Sequence, residues 1–382
     1  MSPTPVTFAT PNQPSSYTWE ATDEEVAARY GVAIEDVVRF DVNTAPLPPD
    51  LAQRVMAAGR FPVVLSEYPP SDYRLLVEAA AERYGVGTDE LVVGAGADEI
   101  LDVIAKTFLV EGSRAVIPVP TYAMYRVVTE QRAADVVAVP RLGPGEGYAL
   151  DIPRMREAAL DAAVLWLCSP NNPTALAEPD GVIETLLGLI EADATAEGRP
   201  VPIVVLDEAY EEFVGRSSAD LRFTHRNLIV IRTASKAYAL AGLRVGFAIA
   251  RSELVARMNP IRPPASISTV SATVVTEALK DDALAATNVA LVTAERERLT
   301  AALTRLGWSV GPSVTNFVLV DLGTVDRATA AAEALLRRGL VPRTFPDTHP
   351  LADHLRLTVR SPEQNDRLIA AASDFEAPSG RA

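Results

Sequence analysis

Between residue 90 and about 250, short apolar runs alternate with amphipathic stretches, and no other feature of the chain constrains its fold as tightly. The runs lie at 115–119, 136–139, 163–167, 203–206, 228–231 and 245–249. Helical spacing of apolar residues fills much of what separates them, at 98–109, 122–132 and 182–192. A strand that is apolar at successive positions has both faces covered, and strands spaced by helices are joined as parallel neighbours. The prediction is an α/β fold with a mostly parallel sheet between helical layers. In such sheets ligands bind beyond the carboxyl ends of the strands. Polar residues that directly follow the apolar runs are therefore the first candidates for a functional site.

The flanks read differently. Thr22-Asp-Glu-Glu25 has the pattern of a capping box and predicts a short helix through about Tyr30. Residues 37–41 are strand-like. Asn43-Thr-Ala-Pro-Leu-Pro-Pro49 must be extended, because proline and the residue before it resist helix. Helices are expected at 50–58 and 72–84. Beyond a proline-rich connector at 259–264, helical patterns at 268–280, 282–306, 327–338 and 362–375 surround strand candidates at 316–321 and 355–359. They predict a smaller α+β domain. The expected division is an N-terminal arm over 1–20, a large domain over 45–260, a small domain made of 21–44 with 265–376, and a disordered tail over 377–382.

Composition narrows the partners. The 382 residues include 35 Lys and Arg against 50 Asp and Glu, a net charge of −15. That balance argues against a nucleic-acid footprint and against attraction to anionic membranes. Cys168 is the only cysteine, so no internal disulfide exists and a reducing compartment is expected. It ends an apolar run, where a small buried residue fits. Prolines at 3, 5, 11 and 14 interrupt the N-terminus, which leaves no signal-peptide core, and no apolar stretch has bilayer length. The expected location is cytoplasmic. His225, His349 and His354 have no metal-ligand spacing, and no metal is expected.

Three motifs follow apolar runs. In Arg232-Thr-Ala-Ser-Lys236-Ala-Tyr-Ala-Leu-Ala-Gly-Leu-Arg244, a lysine sits among small hydroxylic residues. A lysine that acts as a nucleophile needs a partly desolvated pocket, since burial lowers its pKa and frees the amine. Thr233, Ser235 and Arg244 supply the hydroxyls and guanidinium that a phosphate needs. Leu206-Asp-Glu-Ala-Tyr210 ends another run with a carboxylate, and Cys168-Ser-Pro-Asn-Asn-Pro-Thr174 ends a third with amides. Taken alone, Asp207 reads first as a helix N-cap after a strand.

In this order the motifs resemble the active site of fold-type I pyridoxal-phosphate (PLP) enzymes, and most of all the histidinol-phosphate aminotransferase family, over about residues 43–368. The resemblance implies that Lys236 carries PLP and moves protons, that Asp207 holds the ring nitrogen, and that Tyr210 and Asn172 bond the ring oxygen. It implies that the turn Gly94-Ala-Gly-Ala-Asp98 presents the N–H groups of Gly96, Ala97 and Asp98 to the phosphate at a helix N-terminus. Tyr122 would stack on the ring. Tyr68, in Glu67-Tyr-Pro-Pro70, would reach the partner subunit's phosphate, which makes a homodimer with shared sites. Arg343 and Arg356 would grip the anionic end of the substrate, with Asn43 and Tyr17 lining its pocket.

Two positions depart from the family pattern. Ala175 stands where a glycine is usual after Asn172-Pro-Thr, and Arg360 stands where glycine is frequent. The reaction implied is L-histidinol phosphate plus 2-oxoglutarate to imidazole-acetol phosphate plus glutamate. Rivals are an aromatic or other amino-acid aminotransferase and a phospho-amino-acid decarboxylase. A rival of another class is a PLP-binding regulator without turnover; such regulators usually carry a helix-turn-helix domain, for which a 20-residue arm has no room.

Overall fold

The structure is a computed structural model that describes residues 15–18, 20–46 and 49–377. The expected arm over 1–20 and the tail over 377–382 lie largely outside the described residues.

Strands β1 (Val38–Arg39), β2 (Leu91–Gly94), β3 (Arg114–Val119), β4 (Asp135–Pro140), β5 (Val164–Cys168), β6 (Ile203–Asp207), β7 (Leu228–Thr233) and β8 (Gly246–Ala250) occupy the first two thirds of the chain. Strands β9 (Ser309–Val310), β10 (Phe317–Asp321), β11 (Leu340–Val341) and β12 (His354–Thr358) follow. Seven strands form the central sheet in the order β2-β8-β7-β6-β5-β3-β4. All six predicted runs are there. From β7 to β4 every neighbour is parallel, while β8 runs antiparallel to both β7 and β2.

The apolar runs are continuous because each strand feeds two cores. Leu165, Leu167, Val204, Leu206 and Val230 pack on one face against Leu76, Leu186 and Val274. Val164, Trp166, Val205, Ile229 and Ile231 pack on the other, against Ile100, Leu101 and Ile104 of the Gly96–Phe108 helix. Each such side chain contributes about 1.5–3 kcal/mol on full burial, so a polar residue inside a run would be expensive and the polar residues collect at strand ends.

The smaller three-stranded sheet, β12-β10-β9, is antiparallel. Its Val318, Val320, Leu355 and Leu357 share a core with Leu299, Leu303, Leu335 and Leu368 from three helices, Asp282–Arg305, Val325–Leu336 and Pro362–Glu376. The expected capping box is present: Thr22 Oγ1 accepts from the Glu25 N–H, and the Glu25 carboxylate accepts from the Thr22 N–H, at the start of Asp23–Tyr30.

Several expectations need correction. The strand at 37–41 shrinks to the two residues of β1, paired in parallel with β11. The helix expected at 122–132 spans only Met124–Glu130, because Ala133 turns the chain into β4 with φ +51°. Strand β2 was not anticipated, since only three apolar residues precede its glycine. The Thr269–Lys280 helix does not join the smaller sheet. Its Val274, Val275, Ala278 and Leu279 belong to the core of the central sheet, where they meet the Arg74–Tyr84 helix. Among the described residues, no helix is long and apolar enough to cross a membrane.

Candidate active site

Strand register assembles the site. Cys168 lies beside Asp207, and Asp207 beside Ile231, so the segments that follow β5, β6 and β7 emerge together at one sheet edge. The reversal of β8 brings a fourth segment there. Thr233 pairs with Gly246, which puts Arg244 at the same edge, and Gly246 pairs in turn with Gly94, which delivers the turn into the Gly96–Phe108 helix.

These segments line a cavity of about 630 Å³. Tyr17, Asn43, Ala97, Asp98, Tyr122, Asn172, Asp207, Tyr210, Thr233, Ser235, Lys236, Arg244, Arg343 and Arg356 all border it. Two predicted residues do not. Gly96 stands just behind, with φ +84°, and a Cβ there would lie 2.3 Å from the Arg244 guanidinium. Tyr68 does not reach the cavity of its own chain; its side chain is 86% exposed.

Lys236 Nζ lies 3.2 Å from the Asn43 carbonyl oxygen and 5.6 Å from the centroid of the Tyr210 ring. Burial lowers its amine from the ordinary 10.5 to about 8, helped by the Arg356 and Arg244 cations and opposed by Asp98 and Asp207. The Tyr210 hydroxyl accepts a 3.0 Å bond from Asn43 Nδ2, and burial pushes it above the ordinary tyrosine range. The Asn172 side-chain oxygen accepts from Arg356, so its NH2 is the group it can offer to the cavity.

Asp207 is a buried carboxyl. Burial lifts it to about 6, against the bonds that Tyr125 and the Ala209 N–H donate to it. Arg244 pairs with Asp98 at 3.1 Å, and Asp98 also accepts a 3.0 Å bond from the Tyr122 hydroxyl. Thr233 Oγ1 accepts from the Ser235 N–H at 3.1 Å, a brace within the turn. The first N–H groups of the Gly96–Phe108 helix have no partner within the helix.

Arg343 and Arg356 arrive through the smaller sheet. Their main chains form an antiparallel bridge, with N–H to carbonyl distances of 3.1 and 3.0 Å. Arg356 is buried, bonds Asn172 and the Asp41 carbonyl, and leaves its Nε without a partner among the described residues. Arg343 donates to the Thr18 carbonyl at 2.8 Å, lies 3.7 Å from Glu20 and covers the Tyr17 ring at 5.6 Å.

Sequence reasoning missed four contributors: the Asp98 side chain, assigned only an N–H; Tyr125; Asn316, which donates to the Asn43 carbonyl at 2.9 Å; and Gly246. A Cβ on Gly246 would lie 2.5 Å from the Gly96 carbonyl carbon. Only Gly246 carried a signal, a glycine inside an apolar run. Away from the cavity, Asp321, Asp353 and His354 bring ligand atoms within 4.8 Å of one another, a grouping that histidine spacing did not announce.

The family profile for aminotransferase class I and II matches residues 35–371. A histidinol-phosphate aminotransferase of Symbiobacterium thermophilum is 37% identical over 355 residues, 91% of this chain and 92% of its own. One from Xanthomonas campestris pv. campestris is 38% identical, over 80% of this chain and 83% of its own. In fold, the chain is similar to the crystal structure of histidinol-phosphate aminotransferase from Sinorhizobium meliloti in complex with pyridoxal-5'-phosphate. The TM-score is 0.81 at 23% identity, covering 94% of this chain and 95% of that one. The chain belongs to the class I and II aminotransferases, the PLP enzymes of fold type I that its motifs resemble.

Proposed function

We propose that the chain transfers an amino group from L-histidinol phosphate to 2-oxoglutarate, giving imidazole-acetol phosphate and glutamate. The donor set fits PLP: a buried amine of lowered pKa, a buried carboxyl, and a guanidinium with the start of a helix, all bordering one cavity. Bound PLP supplies an electron sink for the carbanion formed at the substrate α-carbon. Lys236 would attach the cofactor and then move the proton at that carbon. Asp207 would hold the ring nitrogen, and Tyr210 and Asn172 would hold the ring oxygen. Tyr122 would hold the ring face. Ala97, Asp98 and Ser235 would hold the phosphate with Arg244; Gly96 gives Arg244 room, and Thr233 holds the turn. Asn43 and Tyr17 would wall the substrate.

The observation that carries the substrate reading is the pair of arginines. Arg356 is a buried cation that forms no ion pair among the described residues, and Arg343 stands beside it through the backbone bridge. A phosphate dianion is better served by two guanidinium groups, a carboxylate by one. The relatives named above point the same way. One observation favours a second reading, an amino-acid aminotransferase: Arg343 is already partly engaged by Thr18 and Glu20.

The deciding measurement is kcat/KM for histidinol phosphate and for phenylalanine in wild type, Arg343→Ala and Arg356→Ala. If both arginines hold phosphate, each variant loses about 1.5–3 kcal/mol, roughly ten- to hundredfold, with histidinol phosphate. Preference for phenylalanine, with Arg343→Ala harmless to both substrates, would promote the second reading.

The same reading makes the protein a homodimer. Tyr68 is exposed on a segment that also exposes Val64 and Leu65, at 68% and 65%. A second copy would cover them and receive the Tyr68 hydroxyl at its own cofactor phosphate.

A further inference from the structure

Asp207 is held from behind. Its Oδ2 accepts a 2.8 Å bond from the Tyr125 hydroxyl, and its Oδ1 a 2.9 Å bond from the Ala209 N–H. Tyr125 is fully buried on the Met124–Glu130 helix. Its ring lies flat on Trp166, with centroids 5.8 Å apart and planes 6° apart. Trp166 donates at 3.0 Å to Thr129, whose hydroxyl donates at 2.7 Å to the Tyr125 carbonyl. The ring cannot turn without breaking that packing, and it holds the hydroxyl within 2.8 Å of the carboxylate and beside the Cys168 thiol. Tyr125 does not border the cavity itself.

We propose that Tyr125 is a positioning residue for amino transfer: its hydroxyl keeps Asp207 ionised and aimed into the cavity. The inference rests on the proposed role of Asp207 toward the ring nitrogen.

Donation to a carboxylate favours its ionised form. Burial works in the opposite direction and lifts Asp207 to about 6. The other charged or titratable groups that act on Asp207 are Asp98, which raises it, Lys236, which lowers it, and Cys168 and Tyr210. Burial holds the Cys168 thiol up at about 12 and Tyr210 above its ordinary range, so neither carries charge near neutrality. Among these side chains, Tyr125 is the one that donates a bond to the carboxylate. Without it burial is opposed less, the carboxyl titrates higher, and the acid limb of activity moves up.

The test compares wild type, Tyr125→Phe, Asp207→Asn and the double variant as holoenzymes. Tyr125→Phe keeps the ring and its packing on Trp166. The expected result is an acid limb about one pH unit higher, kcat about tenfold lower near pH 7 and KM within twofold. PLP titration of the apoenzyme should give a dissociation constant raised several fold. In the Asp207→Asn background, Tyr125→Phe should add nothing, since it acts through Asp207. An unmoved acid limb with kcat within twofold, or additive losses in the double variant, overturns the inference. If Tyr125→Phe does not fold, 3,5-difluorotyrosine at position 125 replaces it: a more acidic phenol donates more strongly and should move the acid limb down. An unmoved limb there also overturns it. Full activity in Asp207→Asn would overturn the role of Asp207 itself, whereas a crippled Asp207→Asn beside a neutral Tyr125→Phe overturns only the role of Tyr125.

Discussion

Lys236 combines two demands that conflict in water. In its proposed role it must be a free amine near neutral pH, yet an ordinary lysine is protonated until about 10.5. Burial and two nearby guanidinium groups resolve the conflict by bringing the amine to about 8. Below that value the charged form dominates and cannot attack a carbonyl. The rate at which apoenzyme captures PLP should therefore climb from pH 6.5, bend near 8 and level off above it. Stopped-flow absorbance against pH checks this, and a rate still climbing in proportion at pH 10 would mean that the amine is not perturbed. Lys236→Ala should remain folded and fail to attach cofactor. Borohydride reduction of the wild type, followed by peptide mapping, should label Lys236 and leave Lys106 and Lys280 unlabelled.

Two small residues decide how elements meet, and their substitutions should behave differently. Gly246 opens β8 against the start of the Gly96–Phe108 helix, where backbone atoms, which cannot rotate away, would lie 2.5–2.8 Å from an added Cβ. Gly246→Ala should cost about 1–3 kcal/mol of stability. It should weaken PLP binding as well, because the displaced helix carries Ala97 and Asp98. Ala175 presents the reverse case. It holds φ +65° without being glycine and is fully buried beside Tyr210 and Phe317. Ala175→Gly relieves about 1–2 kcal/mol of left-handed strain, but it loses about 0.8 kcal/mol of methyl burial and about 0.5–1 kcal/mol to chain entropy. The terms nearly cancel, so stability should change by less than about 1 kcal/mol and the melting midpoint should hardly move. Arg360, the other departure, does not border the cavity; it donates to Thr44, which does, and to Gln364.

At the scale of the whole molecule, the arrangement of Tyr68 is testable by mixing. Tyr68→Phe should weaken PLP retention by about 1 kcal/mol, the worth of one net hydrogen bond. A hybrid of Tyr68→Phe with Lys236→Ala has one site that keeps its lysine. If Tyr68 crosses between subunits, that site receives an intact tyrosine from the partner and should retain PLP as wild type does. If Tyr68 served its own chain, the same site would hold PLP as weakly as the Tyr68→Phe homodimer. Dialysis of confirmed hybrids, followed by cofactor absorbance, separates the two.

Much of this was legible from residue order. The six apolar runs, the capping box at Thr22 and the motifs around Asn172, Asp207 and Lys236 are local patterns, and local patterns reflect burial, turn chemistry and strand ends. What residue order left open was set by tertiary contact. The antiparallel course of β8 depends on its pairing with both β7 and β2, and it is that pairing which brings Arg244 and the Gly94–Gly96 turn to one edge. The Thr269–Lys280 helix has an apolar face that fits either sheet; contact with the Arg74–Tyr84 helix decides its place. Tyr125 reaches Asp207 across 82 positions, and Asn316 reaches Asn43 across 273. No spacing rule spans such distances, because a hydrogen bond depends on where two atoms end up in space. The sequence by itself determined the chemistry and the sheet that carries it; the packing of distant segments decided which side chains hold that chemistry in place.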